Sequence, residues 1–142
     1  MEDTPLLDDF ILSRARGSAS RVCFVATASG DSDRMLVNFY TALGPRCRAA
    51  HLPLFRRQHA DVVAHQLAQD VIDVGGGNTP NMLAVWRVHG VDLALRRAYE
   101  AGILLCGVSA GALCWRFQKE KDECARRCSP WPGWPPTCRP CF

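Results

Sequence analysis

The sequence predicts an α/β domain, a three-layer parallel sheet with helices on both faces. Short apolar, β-branched runs recur along the chain, each closes in a glycine-rich or turn-forming stretch, and a segment of helical apolar spacing then follows. Strands alternating with helices in this way pair in parallel through crossover connections. With 142 residues, 48% of them hydrophobic and 22% charged, the chain has the size and composition of one globular domain.

Arg21 to Thr27 (RVCFVAT) is the first strand, running into the loop Ala28-Ser29-Gly30-Asp31. Asp31 or Ser32 is placed to cap a helix carrying Met35, Leu36, Phe39, Tyr40 and Leu43, which Gly44-Pro45 ends. Cys47 to Leu54 gives the second strand. His59 to Leu67 reads as a helix with Val62, Val63 and Leu67 on one face, and Gln69 to Val74 as the next strand, ending in Gly75-Gly76-Gly77. Thr79 and Pro80 suit the cap and first turn of a helix with Met82, Leu83, Val85 and Trp86. Gly90 breaks it before a helix through Leu93, Leu95, Ala98 and Tyr99, and Gly102 opens the strand Ile103 to Gly107. The alanine- and leucine-rich stretch from Ala110 to Phe117 starts a further helix. Continuous apolar strands such as Val22 to Ala26 and Ile103 to Cys106 fit burial on both faces.

Charge excludes some functions. Seventeen basic residues against 14 acidic ones give a net charge of +3 with no block of like charge, so neither a nucleic-acid nor a membrane footprint is expected. Glu2, Asp3, Asp8 and Asp9 fill a start that a signal peptide would make basic, which points to a cytoplasmic location.

Ligands of such sheets bind beyond the carboxyl ends of the strands, where this reading puts both glycine-rich turns. In Gly107-Val108-Ser109-Ala110-Gly111 a serine sits on a strand-to-helix turn with small neighbours, which exposes its hydroxyl above the sheet edge. Ser109 is therefore the candidate nucleophile, and the Ala110 N–H at the helix start a candidate oxyanion donor. Gly75-Gly76-Gly77-Asn78-Thr79 offers further N–H groups, with Gly76 and Gly77 as candidates for the second donor. The alternative there is a tight turn that uses glycine only for its backbone freedom. Neither a dinucleotide fingerprint nor a Gly-Lys-Ser/Thr phosphate loop is present.

The segments DVGGGNTPNML at 73 to 83 and LLCGVSAGALCW at 104 to 115, with RVCFVATASGD and HLPLFRR upstream, resemble the peptidase E family of serine peptidases, which includes dipeptidase E and cyanophycinase. The resemblance implies a fold related to class I glutamine amidotransferases, cofactor-free hydrolysis of small peptides, Ser109 as nucleophile and the glycine turn as part of the oxyanion hole. It also implies a catalytic histidine from a later segment resembling Pro-His-Tyr-Asp. His51, His59, His65 and His89 all precede Ser109, so the sequence reading expects an incomplete domain over residues 1–117 with impaired turnover. Its alternative is a catalytically inactive, truncated α/β protein with a ligand-binding or interaction role. No role is assigned to Asp122 or Glu123.

Residues 118–142 change character, with Cys124, Cys128, Cys138 and Cys141 set among prolines and arginines. The expectation is a disordered tail, resembling a truncated or frame-shifted product. The alternative is a four-thiolate zinc site, which the metal would have to build almost alone. No metal or other cofactor is expected, and exposed sheet edges favour a homodimer.

Overall fold

The computed structural model describes residues 5–15, 19–56 and 61–115. Helix α1 (Pro5–Arg14) leads into strand β1 (Arg21–Val25), a 3-10 turn (Thr27–Ser29) and helix α2 (Asp33–Leu43). Then come β2 (Arg48–His51), α3 (Val62–Leu67), β3 (Val71–Val74), α4 (Thr79–His89), α5 (Val91–Glu100) and β4 (Leu104–Gly107), and another helix begins at Ala110. The strands form one parallel sheet in the order β2-β1-β3-β4, with Val22 opposite both Ala49 and Val71, and Val71 opposite Leu104.

Alternation along each strand divides the core into two halves. Val22, Phe24 and Val71 face α1 and α2, packing with Phe39, Leu43 and the partly buried Ile11 and Leu12. Cys23, Val25, Ile72 and Val74 face α3, α4 and α5, where Met82, Trp86, Val91, Leu95 and Ala98 are fully buried. Each fully buried valine, leucine, isoleucine or methionine among them contributes about 1.5–3 kcal/mol by leaving water. The Phe24 and Phe39 rings stack with centroids 4.9 Å apart, fixing α2 on its face. The three-layer α/β architecture is as the sequence predicts.

Several details differ. Among the described residues β4 is an edge strand, and its apolar run is half-buried rather than covered on both faces. In α3 the buried side chain is Gln66, while Leu67 faces solvent, because Asp61 caps the helix and sets its phase. Asn78, not Thr79, caps α4, its side chain accepting from the Asn81 N–H, so Pro80 falls at the second helical position. Ser32 stands at the cap position of α2 without a side-chain bond, and Asp31 instead accepts from the Leu54 and Phe55 N–H groups at 2.7 and 3.2 Å. In α5, Leu93 and Tyr99 lie on the exposed face, Tyr99 at 73%. The strands are also shorter than their apolar runs, since β2 stops at His51 and β3 starts at Val71.

One charge lies in the core layer. Asp73, mid-strand in β3 on the α1/α2 side, has the Cys106 thiol 3.7 Å from its Oδ1. Burial raises its carboxyl above the usual range, the Cys106 contact lowers it and the nearby Asp8 charge raises it further. The folded form thus holds this proton more tightly than the unfolded chain, so the contribution to stability is full in acid and is lost as pH rises through the raised value. Asp73→Asn is accordingly expected to raise the urea midpoint at pH 7, with the advantage shrinking as pH falls through the raised value and gone below pH ~4. An equal or lower midpoint at pH 7 would mean the carboxylate is solvated or paired.

Candidate active site

Three segments meet at the carboxyl end of the sheet. The 3-10 turn after β1 supplies the Ala28 carbonyl, which accepts the Asn78 N–H at 2.8 Å and so brackets the glycine turn after β3. Gly77 lies against this turn: a Cβ there would overlap the Ala28 carbonyl and come 2.9 Å from the Ser29 nitrogen, and its φ of +146° is one that side chains rarely adopt. Gly76 lies against the other side. A Cβ on it would be 3.2 Å from Ser109 Cβ and 3.7 Å from Ser109 Oγ, so glycine turn and serine turn are in contact.

Ser109 is exposed and has φ 54°, a left-handed conformation uncommon for a side-chain-bearing residue. The Val108 N–H donates to the Val74 carbonyl at 3.2 Å, ending the β4 pairing, and the Ser109 carbonyl accepts from Ala112 and Leu113 at 3.0 and 2.9 Å, opening the helix. The chain thus reverses from strand to helix at this residue. That tight reversal presses Gly111 onto the Val74 carbonyl and leaves 2.7 Å between a Cβ on Gly107 and the same oxygen. The outer glycines of Gly-x-Ser-x-Gly are therefore set by backbone packing against β3.

The structure brings together Ser109, Gly76, Gly77 and Ala110. Among the described residues no backbone acceptor takes the N–H of Gly76, Gly77 or Ala110, and Ser109 Oγ has no hydrogen-bond partner. Such donors at a helix start favour developing negative charge.

The described histidines belong elsewhere. His51 ends β2 with its Nδ1 2.8 Å from the Tyr40 hydroxyl, and β2 and β4 are opposite edges, three strand spacings or about 14 Å apart. His65 packs in α3, its Nε2 3.7 Å from the sulfur of mid-strand Cys23. His89 ends α4, about 16 Å along the helix from the glycine turn. His59, Asp122, Glu123 and the four cysteines of the zinc alternative lie outside the described residues. Among the described residues no group of three or more His, Cys, Asp or Glu could hold a metal, and no helix is long and apolar enough to cross a membrane.

Cys106 and Cys114 flank Ser109 in sequence but are poor nucleophiles. Burial pushes the Cys114 thiol up to about 12, and burial followed by the Asp73 charge raises Cys106 still more strongly. Iodoacetamide at pH 8 is expected to leave both unmodified in native protein and to label both in urea, as read by peptide mapping. Labelling of native Cys106 or Cys114 would reopen a cysteine nucleophile.

Comparison with known proteins fits this geometry. The profile of peptidase family S51 matches residues 1–128. The chain belongs to peptidase family S51. A relative from Bacillus subtilis (strain 168), named "Uncharacterized peptidase YgaJ", is 43% identical over 114 residues, which are 80% of this chain and 50% of that protein. The 1.5 Å crystal structure of a protein from Listeria monocytogenes EGD-e, named "Putative Peptidase E Protein", superposes with a TM-score of 0.61 at 23% identity, over 74% of this chain and 54% of its own. That similarity supports the α/β fold. The S51 chain described here therefore spans about half the length of the relatives it matches.

The sequence reading missed the part played by the turn at Thr27–Ser29 and by Asn78. The small residues Ala28 and Ser29 ahead of Gly30 were the available signal, since only a compact backbone can lie so close to Gly77.

Proposed function

We propose that this S51 chain carries the nucleophile and oxyanion-binding half of a serine peptidase acting on small peptides. The observation that carries the reading is Ser109 at φ 54° on a strand-to-helix turn, in contact with Gly76. Its Oγ would attack the scissile carbonyl carbon and lose its proton to a base, while the N–H groups of Ala110 and of Gly76 or Gly77 receive the oxyanion. The leaving amine takes up a proton and water then releases the acyl group from Ser109. The described histidines His51, His65 and His89 lie away from the turn, so proton removal from Ser109 is the weak step and turnover is expected to be impaired. The chemistry needs no metal.

A panel of dipeptides, including those with amino-terminal aspartate, tests the proposal. The native protein is expected to release free amino acids, Ser109→Ala to release none, and a chelator to leave the rate unchanged. Folded protein no more active than Ser109→Ala would instead favour the non-catalytic reading, in which the two turns only bind a small anionic or peptide ligand; the unpartnered Ser109 Oγ is the observation that favours it.

A further inference from the structure

Helix α4 begins immediately after the glycine turn, so its placement fixes where Gly76 and Gly77 lie relative to Ser109. Two hydrogen bonds hold it to neighbouring residues of the turn after β1. At its start, the Asn78 N–H donates to the Ala28 carbonyl at 2.8 Å. Two helical turns further on, the Trp86 Nε1–H donates to Thr27 Oγ1 at 3.2 Å, a bond between two buried side chains. Trp86 is fully buried and Thr27 is 3% exposed, so water does not compete for either group. The turn is itself braced: the Ala26 carbonyl accepts from the Ser29 and Asp31 N–H groups and from the Ser29 hydroxyl.

Packing of Met82 and Trp86 seats α4 on the sheet but is non-directional, and the hydrogen bond at Asn78 alone fixes only the start of the helix against the β1 turn. The second point, two turns away, fixes the register of the helix against that turn and links the position of the β1 turn to Gly77, which touches Ala28, and through Gly76 to Ser109. We propose that the Thr27–Trp86 hydrogen bond is a positioning device for the glycine turn: Thr27 and Trp86 touch no reacting atom but hold the candidate oxyanion donors in register with Ser109. The inference deepens the serine-peptidase reading and rests on it for its catalytic consequence. Its structural content, that the hydroxyl of Thr27 sets the conformation at Gly76 and Gly77, stands independently.

Thr27→Val keeps the shape and removes the acceptor; Thr27→Ser keeps the hydroxyl and removes the methyl group. In Thr27→Val the backbone amide resonances of Gly76 and Gly77 are expected to shift, and the rate of covalent modification of Ser109 by a fluorophosphonate to fall roughly tenfold or more, as for a small misplacement of reacting groups. For peptide hydrolysis the loss should appear in kcat with KM little changed. Thr27→Ser should restore the glycine resonances and bring the rates to within about threefold of the native protein. Wild-type glycine resonances in folded Thr27→Val, or a Thr27→Ser as perturbed as Thr27→Val, would overturn the proposal. If native protein shows no Ser109 modification, the peptidase reading fails and the glycine resonances still decide the positioning claim. Should Thr27→Val not fold, hydrogen exchange of the Trp86 indole N–H in native protein decides: protection equal to the core amides supports the bond, and exchange as fast as an exposed indole refutes it.

Discussion

Gly111→Ala is expected to destabilise the protein by about 3–5 kcal/mol, enough to leave much of it unfolded at 37 °C. A Cβ at this position would overlap the Val74 carbonyl oxygen, come 2.7 Å from its carbon and 3.0 Å from Val74 Cβ. Neither side can give way cheaply. Val74 is the last residue of β3, fully buried and paired to both neighbouring strands, and its carbonyl accepts the Val108 N–H. Gly111 lies in the first turn of the helix after Ser109, so moving it would break that bond and open the reversal at the serine. A urea titration checks the result. A midpoint unchanged within error would mean that the helix does not sit against β3 as described.

Ser109→Gly separates stability from reactivity. Left-handed backbone at a residue with a side chain costs on the order of 1 kcal/mol, and glycine relieves it. Removing the hydroxyl forfeits no hydrogen bond among the described residues, so the variant is expected to gain about 0.5–1 kcal/mol while losing all reaction at this position. Strain at the candidate nucleophile turn is the reason both changes are expected from one substitution. The urea midpoint and the intact mass after fluorophosphonate treatment are read on the same sample. A lower midpoint would show that φ at residue 109 carries no strain in solution, or that the hydroxyl has a structural partner.

The two turns were legible in the sequence because backbone contact dictates their composition. Gly107 and Gly111 face the Val74 carbonyl and Gly77 faces Ala28, so their glycines mark close approach at any site built this way. The alternation of strands and helices was legible for the same kind of reason, since β1 and β3 are covered on both faces and are apolar at all positions but Arg21 and Asp73. Sequence fails where position in the sheet decides. The apolar run of β4 looks like that of β1, yet among the described residues β4 is an edge. Helix α1 was not read as an element because its apolar residues do not form a clean stripe, and only contact of Ile11 and Leu12 with the α2 side of the core gives them a face. Gln66 is buried and Leu67 exposed against their hydrophobicities, through the phase that the Asp61 cap sets. The Thr27–Trp86 bond joins residues 59 apart, with no local pattern to announce it.

The central claim is that Ser109 is an activated nucleophile held against the glycine turn. Intact-mass spectrometry after treatment with a fluorophosphonate probe tests it most directly, comparing native protein with Ser109→Ala. The account predicts a single adduct on the native protein that is absent from the variant. No adduct on folded native protein, or one that persists in Ser109→Ala, would contradict it.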